Sequence, residues 1–417
     1  MKNIIDELNE RGLIKDFSNE KELRELFETR QTVYCGFDPS AASMHIGNFI
    51  MIMTLMRFQQ YGHKVIALAG GATGMIGDPS GKSKERNLQD ESTLKFNTDN
   101  IKNQLSKFID LSDPNKGILI NNYDWLKDIH ILDYLRDFGK YFNINYMLSK
   151  DIIASRLDAG ISYAEFSYMI LQSIDFLHIH ETMGCNVQIG GSDQWGNLTA
   201  GLELIRKVKG SEEKVGVMTL KLITRSDGKK FGKSEDGALF LNENLTSPYK
   251  LYQFFINSND EDAVHYLKVF TLLPLPEIYE IEKEHLANLG ARIAQKKLAF
   301  EIVRIVHGEE KALEAVQMSE VFFTNKFDEL NEKQITELFA NSTHSVEKNT
   351  KLEDALISIG VAKSKRESRE LINTSSISLN GEKNTNTEEF LTTKLALFEK
   401  YIVLKKGKKN YYLLEIK

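Results

Sequence analysis

The sequence predicts an α/β fold: a doubly wound, Rossmann-like parallel sheet first, then a helical domain and a small α+β domain. Three observations carry this. Two apolar runs, residues 32–37 and 64–69, bracket a long helical stretch, and such a βαβ unit implies a parallel sheet with right-handed crossovers. Short apolar runs return at 117–121 and 187–191, with helical periodicity between them. After Ser247-Pro248-Tyr249 the strand signals stop and helical periodicity takes over to about residue 322.

Taken in order, residues 2–12 read as a short amphipathic helix with Ile5, Leu8 and Asn9 along one face. Thr32-Val33-Tyr34-Cys35-Gly36-Phe37 is apolar without alternation, the pattern of a buried strand. Asp38-Pro39-Ser40 turns the chain into an apolar helix over about 47–61, which Gly62 ends. Ligands of such sheets sit outside the C-terminal strand ends. Residues 36–40, 70–78, 123–124 and 190–197 are therefore expected as neighbours in space. Residues 325–347 are polar and expected to be helical in part. Residues 352–360 and 365–372 read as two short helices. Ser376 to Leu379 then meets Asn380-Gly381, a strong hairpin signal, and a second hairpin is expected across Lys405 to Lys409. The expected domains are 1–222 (α/β sheet domain), 223–247 (loop and linker), 248–325 (helical), 326–350 (linker) and 351–417 (small α+β).

With 417 residues, the chain exceeds one ordinary core. Its 41% hydrophobic and 27% charged content is that of a globular protein. No apolar run is long enough to span a bilayer, and residues 1–10 lack the apolar region of a signal peptide. A cytoplasmic location without membrane partners is expected. Cys35 and Cys185 make neither a disulfide framework nor a zinc cluster. The net charge of −6 hides an asymmetry: residues 351–417 hold 13 Lys/Arg against 9 Asp/Glu, a balance of +4, which leaves −10 for the rest. A basic tail on an acidic body fits a local RNA contact and fits a solvated surface equally well.

Two short signatures set the functional expectation. His45 and Asn48, in Met44-His45-Ile46-Gly47-Asn48, fall three apart at a helix start, where free N–H groups and the helix dipole attract phosphate. Lys230-Phe231-Gly232-Lys233-Ser234 lies in a stretch rich in Gly, Ser, Asp and Lys, the composition of a mobile loop. A His-capped helix and a lysine pair holding one polyphosphate suggest activation by a nucleoside triphosphate. Lys82 and Arg86 form a second basic segment, read from composition alone as solvated surface. Gly70 to Asp78 is glycine-rich but not a Walker A loop, because no Gly-Lys-Ser/Thr closes it at the required spacing; its glycines are expected to let a ligand near the backbone. Tyr168, Gln172 and Asp175, at helical spacing among large apolar residues, read as a pocket lining. In Gly190 to Asn197, Asp193 is placed to accept from ribose hydroxyls.

Those residues resemble a family. His45-Ile46-Gly47-Asn48 is similar to the HIGH motif of class I aminoacyl-tRNA synthetases, and Lys230 to Ser234 to their KMSKS motif. Tyr34 to Pro39, the Tyr168/Gln172/Asp175 stripe and Gly190 to Asn197 resemble the bacterial tyrosyl-tRNA synthetases in particular. Asn48 stands where the motif ends in His, and Phe231-Gly232 where it has Met-Ser. The resemblance implies that Tyr34 and Asp175 bond the phenolic hydroxyl of tyrosine, and that Asp78, Tyr168 and Gln172 hold its ammonium group. It places Gly36, Asp38, Gly47, Gly191, Asp193 and Gln194 around the amino acid and the adenosine, with Cys35 beside them. Ser40, His45 and Asn48, joined by Lys82, Arg86, Lys230, Lys233 and Ser234, would stabilise the departing pyrophosphate. The implied substrates are tyrosine, ATP with Mg²⁺, and tRNA(Tyr), with no protein-held metal or tightly bound cofactor; the implied assembly is a homodimer.

The chemistry explains why no general base stands out. A carboxylate with a pKa near ~3.5 is already an anion and can attack the α-phosphate directly. What the site must supply is alignment and charge stabilisation. Basic residues in 206–209 and 363–369 are either phosphate contacts or surface charge, and Tyr163 and Phe166 are either dimer interface or core. The rival readings are a tryptophanyl enzyme, a small-molecule nucleotidyltransferase, and a non-catalytic RNA binder on the same scaffold.

Overall fold

The structure is a computed structural model, and it describes residues 3–80, 89–154, 156–157, 160–224, 226, 231–234, 237–407 and 410–417, without the side chains of residues 152, 233 and 234. The chain divides into two compact units, Met1–Glu309 and Glu310–Lys417.

The first unit is built on a six-stranded sheet: β1 (Ile14–Phe17), β2 (Thr32–Phe37), β3 (Lys64–Ala69), β4 (Gly117–Asn121), β5 (Val187–Gly191) and β6 (Gly216–Leu220). Their order is β1-β6-β5-β2-β3-β4. All neighbours are parallel except β1, which closes the edge antiparallel to β6. The expected strands stand where the apolar runs placed them. β6 is a correction of omission: Gly216-Val217-Met218-Thr219-Leu220 is buried throughout, but Thr219 breaks the apolar signal and satisfies its hydroxyl on Asp16 of β1.

Helices cover both faces. They include α1 (Ile4–Glu10), α2 (Ile46–Gln60), α3 (Glu91–Phe108), α4 (Tyr163–Met183) and α5 (Trp195–Lys209). α4 starts on a Ser162 cap that accepts from Glu165 N–H, and it ends at left-handed Gly184. Tyr34, Ile66, Leu68, Ile174, Phe176, Leu198 and Val217 share one buried cluster beneath α4 and α5. α6 (Pro248–Ile256), α7 (Asp260–Phe270), α8 (Leu275–Ala287) and α9 (Ile293–His307) follow. The C-terminal carbonyls of α7 are bound by two arginines: Arg57 of α2 donates to Lys268, Val269 and Thr271, and Arg11 to Lys268 and Leu273. Cations at a helix C-terminus complement its dipole.

In the second unit, strands Thr343–Val346, Ile377–Leu379, Glu382–Asn384, Tyr401–Lys406 and Asn410–Ile416 form one sheet. Both expected hairpins are present. At the first, Asn380 and Gly381 have φ of 49° and 92°, the two positive values such a turn needs. The strand Thr343–Val346 lies in the segment expected to be partly helical; it pairs parallel with Asn410–Ile416, a long-range partner the local pattern does not reveal. Among the described residues no helix is long and apolar enough to cross a membrane.

Candidate active site

The sheet reverses its winding between β2 and β5, and the loops leaving those two strands part there. A cavity of about 470 Å³ opens at this point, where open α/β sheets bind ligands. Of the described residues expected at the site, all but Lys233 and Ser234 line it: Tyr34, Cys35, Gly36, Asp38 and Ser40 from β2 and its turn, then His45, Gly47 and Asn48 from the start of α2. Asp78 follows β3, Tyr168, Gln172 and Asp175 come from α4, and Gly191, Asp193 and Gln194 follow β5.

At the inner end, Tyr34 and Asp175 are each about 1% exposed. Asp175 receives Asn122 Nδ2 on one oxygen and Trp125 Nε1 on the other, both at 2.9 Å. Burial pushes its carboxyl up to about 8, against the two donors that favour the charged form. Gln188 Nε2 donates to the Tyr34 hydroxyl at 2.6 Å, which leaves the Tyr34 proton to point elsewhere. An O–H donor and a carboxyl acceptor side by side are what a ligand hydroxyl requires, since it must accept from one and donate to the other.

Along one wall, the Tyr168 hydroxyl donates to Asp38 Oδ2 at 2.6 Å, and Thr73 donates to Asp38 Oδ1 at 2.8 Å. Gly70 makes room for this pair: a Cβ there would lie 2.0 Å from Asp38 Oδ1. That corrects the expectation for the glycine-rich loop, because at this position the missing side chain admits a carboxylate of the protein rather than a ligand. Asp78 is held by Gln194 Nε2 at 2.6 Å and by the hydroxyl and N–H of Ser80. Asp38, Asp78 and Gln172 line a half-polar wall suited to a cation such as an ammonium group.

At the mouth, His45 caps α2. Its Nδ1 accepts from Gly47 N–H at 3.0 Å, while Asn48 Oδ1 accepts from His45 N–H at 3.1 Å, a reciprocal capping box. Because Nδ1 is the acceptor, the neutral ring carries its proton on Nε2, a donor suited to an anion. The second signature meets the first here through Phe240 and Leu239. Leu239 N–H donates to Gly232 and Ile46 N–H to Leu239, and a β-bridge joins His45 with Phe240. Phe231 also lines the cavity. β7 (Lys233–Ser234) pairs with β8 (Gly237–Ala238), which places the Lys233 and Ser234 backbone next in line. Lys82, Arg86 and Lys230 lie outside the described residues.

The open alternatives divide. Tyr163 is 67% exposed, whereas Phe166 packs against the core. Arg206, Lys209, Lys365 and Arg369 form ion pairs with Glu22, Glu181, Asp354 and Glu353. Sequence reasoning missed Gln188, Asn122, Trp125 and Thr73, which orient the groups it found. No local pattern marks them; only Tyr123-Asp124, an expected strand end flanked by Asn122 and Trp125, offered a hint.

The pattern of the tRNA synthetases class I (W and Y) matches residues 27–324, and that of the tyrosine–tRNA ligase SYY-like C-terminal domain matches 334–414. The tyrosine–tRNA ligase of Listeria welshimeri is 47% identical over 418 residues, covering 100% of both chains. That of Geobacillus kaustophilus is 46% identical over 415 residues, covering 99% of both. Among solved structures, a C-terminally truncated mitochondrial tyrosyl-tRNA synthetase from Aspergillus nidulans superposes with a TM-score of 0.70 at 33% identity, covering 77% of this chain and 94% of its own. A tryptophanyl-tRNA synthetase from Encephalitozoon cuniculi shares the fold, with a TM-score of 0.55 at 14% identity over 75% of this chain and 87% of its own.

Proposed function

Because this chain belongs to the class I tRNA synthetases of the tryptophan and tyrosine type, we infer from it a two-step reaction on tyrosine. The enzyme activates L-tyrosine with ATP to tyrosyl-adenylate and pyrophosphate, then transfers tyrosine to the 3′ end of tRNA(Tyr). The observation that carries the choice of amino acid is the Tyr34–Asp175 pair at the buried end of the cavity that also holds the His45 cap. An indole has no hydroxyl to satisfy both groups.

The proposed roles follow from the geometry. The substrate hydroxyl accepts from Tyr34 and donates to Asp175. Its ammonium lies against Asp78, Tyr168 and Gln172, which directs the carboxylate toward the mouth. Adenosine occupies the side formed by Gly36, Asp38, Gly47, Gly191, Asp193 and Gln194. A tyrosine carboxylate oxygen attacks the α-phosphorus as the bond to the β-phosphate oxygen breaks, and no proton need move. His45 Nε2–H, Ser40 and the first turn of α2 with Asn48 stabilise the charge gathering on pyrophosphate. Lys82, Arg86, Lys230, Lys233 and Ser234 are proposed to join them. Magnesium is proposed to enter on the polyphosphate of ATP, as is usual for this ion; among the described residues no group of three or more His, Cys, Asp or Glu could hold a metal.

A homodimer in the cytoplasm is the proposed working form. Supporting the dimer, Ile131, Leu132, Ile144 and Tyr163 of the first unit are each more than 60% exposed. The deciding experiment is exchange of pyrophosphate into ATP with tyrosine, tryptophan and phenylalanine in parallel. Exchange with tyrosine alone is expected; exchange with tryptophan would overturn the hydroxyl-reading assignment.

A further inference from the structure

The chain leading into Lys233 is tied at two points, Ser226 and Phe231, to one helix, α7, whose Phe270 also lines the cavity. Ser226 is held at the N-terminal turn of α7. Its N–H and hydroxyl donate to the Asp262 carboxylate at 3.1 Å and 2.9 Å, and Asn259 Nδ2 donates to its oxygen at 3.1 Å. Next to Lys233, Phe231 is held at the other end of α7. Its ring stacks on Phe270, 5.0 Å between centroids and 12° from parallel, and meets Tyr266 edge-on at 5.2 Å. Phe254 and Phe255 of α6 close the same cluster.

α7 is in turn fastened to α2, the helix whose first turn bears His45. Phe270 lies parallel to Phe49 of α2, at 6.3 Å and 9°. Arg57, near the far end of α2, donates to three carbonyls at the C-terminus of α7. Phe270 and Arg57 are both buried, so neither link is loosened by solvent. Just past the second anchor the spacing is tight: a Cβ on Gly232, whose φ is +77°, would lie 2.8 Å from Ile46 at the start of α2. The Gly232 backbone thus lies directly against the helix that His45 caps. Phe231 meets four rings, those of Phe254, Phe255, Tyr266 and Phe270, and each such pairing adds to the burial of its side chain.

We propose that α7 is the strut that sets Lys233 against the His45 helix, with Phe231 and Asp262 as positioning residues for adenylate formation. This rests on the proposed reaction. Phe231 and Phe270 line the cavity, and their contacts run to Phe49 of α2 and to the Gly232 backbone beside Ile46, so the strut is assigned to the polyphosphate side. Substitutions in it therefore separate the two halves of the site.

The test compares Phe231→Ala, Phe231→Met and Asp262→Asn in the full chain, by tyrosine-dependent pyrophosphate exchange and by equilibrium tyrosine binding. Phe231→Ala is expected to lower kcat at least tenfold, with the tyrosine dissociation constant within twofold of the parent. Phe231→Met, which keeps a long apolar contact to the rings, is expected to recover most of the rate. Asp262→Asn should lower kcat severalfold and serves as the measure if Phe231→Ala lacks the parent's circular-dichroism spectrum and so fails to fold. A parental kcat in Phe231→Ala, or in Asp262→Asn where that is the measure, overturns the strut. So does a loss of tyrosine affinity matching the loss of rate in a folded variant. An inactive parent chain would instead overturn the reaction and leave the strut without an object.

Discussion

Asp175 concentrates the cost and the use of burial in one side chain. Burial pushes its carboxyl up to about 8, whereas in an unfolded chain it would titrate at ~3.9. Between those values the folded state binds more protons, so its contribution to stability falls as pH rises. Asp175→Asn is expected to unfold at higher urea than the parent at pH 8.5, the difference shrinking toward pH 4. A gap independent of pH would show that the carboxyl is ionised throughout. Gln188 is the other informative residue, since its amide donation is what turns the Tyr34 proton toward a ligand. Gln188→Met should lower kcat/KM for tyrosine about five- to tenfold, near the ~1 kcal/mol of one net hydrogen bond, and leave phenylalanine unchanged. Equal losses for both amino acids in pyrophosphate exchange would assign Gln188 to packing alone.

At the scale of elements, the start of α2 shows how a short motif is a structural device before it is a chemical one. His45 must be a cap for its Nε2 to be a donor, and Gly47 must lack a side chain for His45 to be a cap. A Cβ on Gly47 would lie 2.8 Å from His45 Cε1 and 2.9 Å from Nδ1. Gly47→Ala is therefore expected to displace the ring, cost about 1 kcal/mol as a lost cap, and slow pyrophosphate exchange at least tenfold. Tyrosine binding at the buried end should hold within twofold. Unimpaired exchange would mean that the ring finds its place without the cap. The loop carrying Lys233 is the counterpart: its composition reads as mobile, yet Phe231 and Gly232 are packed against aromatic rings and Ile46.

Across the whole molecule, what remains unpartnered is as telling as what is packed. Ile131, Leu132, Ile144 and Tyr163 lie in one stretch of the first unit that exposes large apolar side chains. Placing charges there should be costly only if the surface is covered in solution. Leu132→Glu combined with Tyr163→Glu is expected to sediment as a monomer where the parent sediments as a dimer. A parent that is monomeric at micromolar concentration would remove the dimer from the proposed function.

Four of the six sheet strands of the first unit, the two hairpins near the end and the motif residues that line the cavity were legible in the sequence, for two different reasons. Buried parallel strands such as Thr32–Phe37 and Lys64–Ala69 are apolar throughout, and a turn such as Asn380-Gly381 needs residues that tolerate positive φ, so both leave local marks. The His45 and Lys233 signatures, with the pocket stripe on α4, were legible because their chemistry constrains residue types at short spacings, and because together they resemble a family. Only the tertiary structure decided which groups orient them. Gln188 reaches Tyr34 across 154 positions, Asn122 reaches Asp175 across 53, and Asp262 reaches Ser226 across 36. Periodicity holds no record of such pairs, because a side chain that orients another needs only the right place in space. The edge strand β1 and the strand Thr343–Val346 were hidden for the same reason: each is short and owes its conformation to a partner elsewhere in the chain.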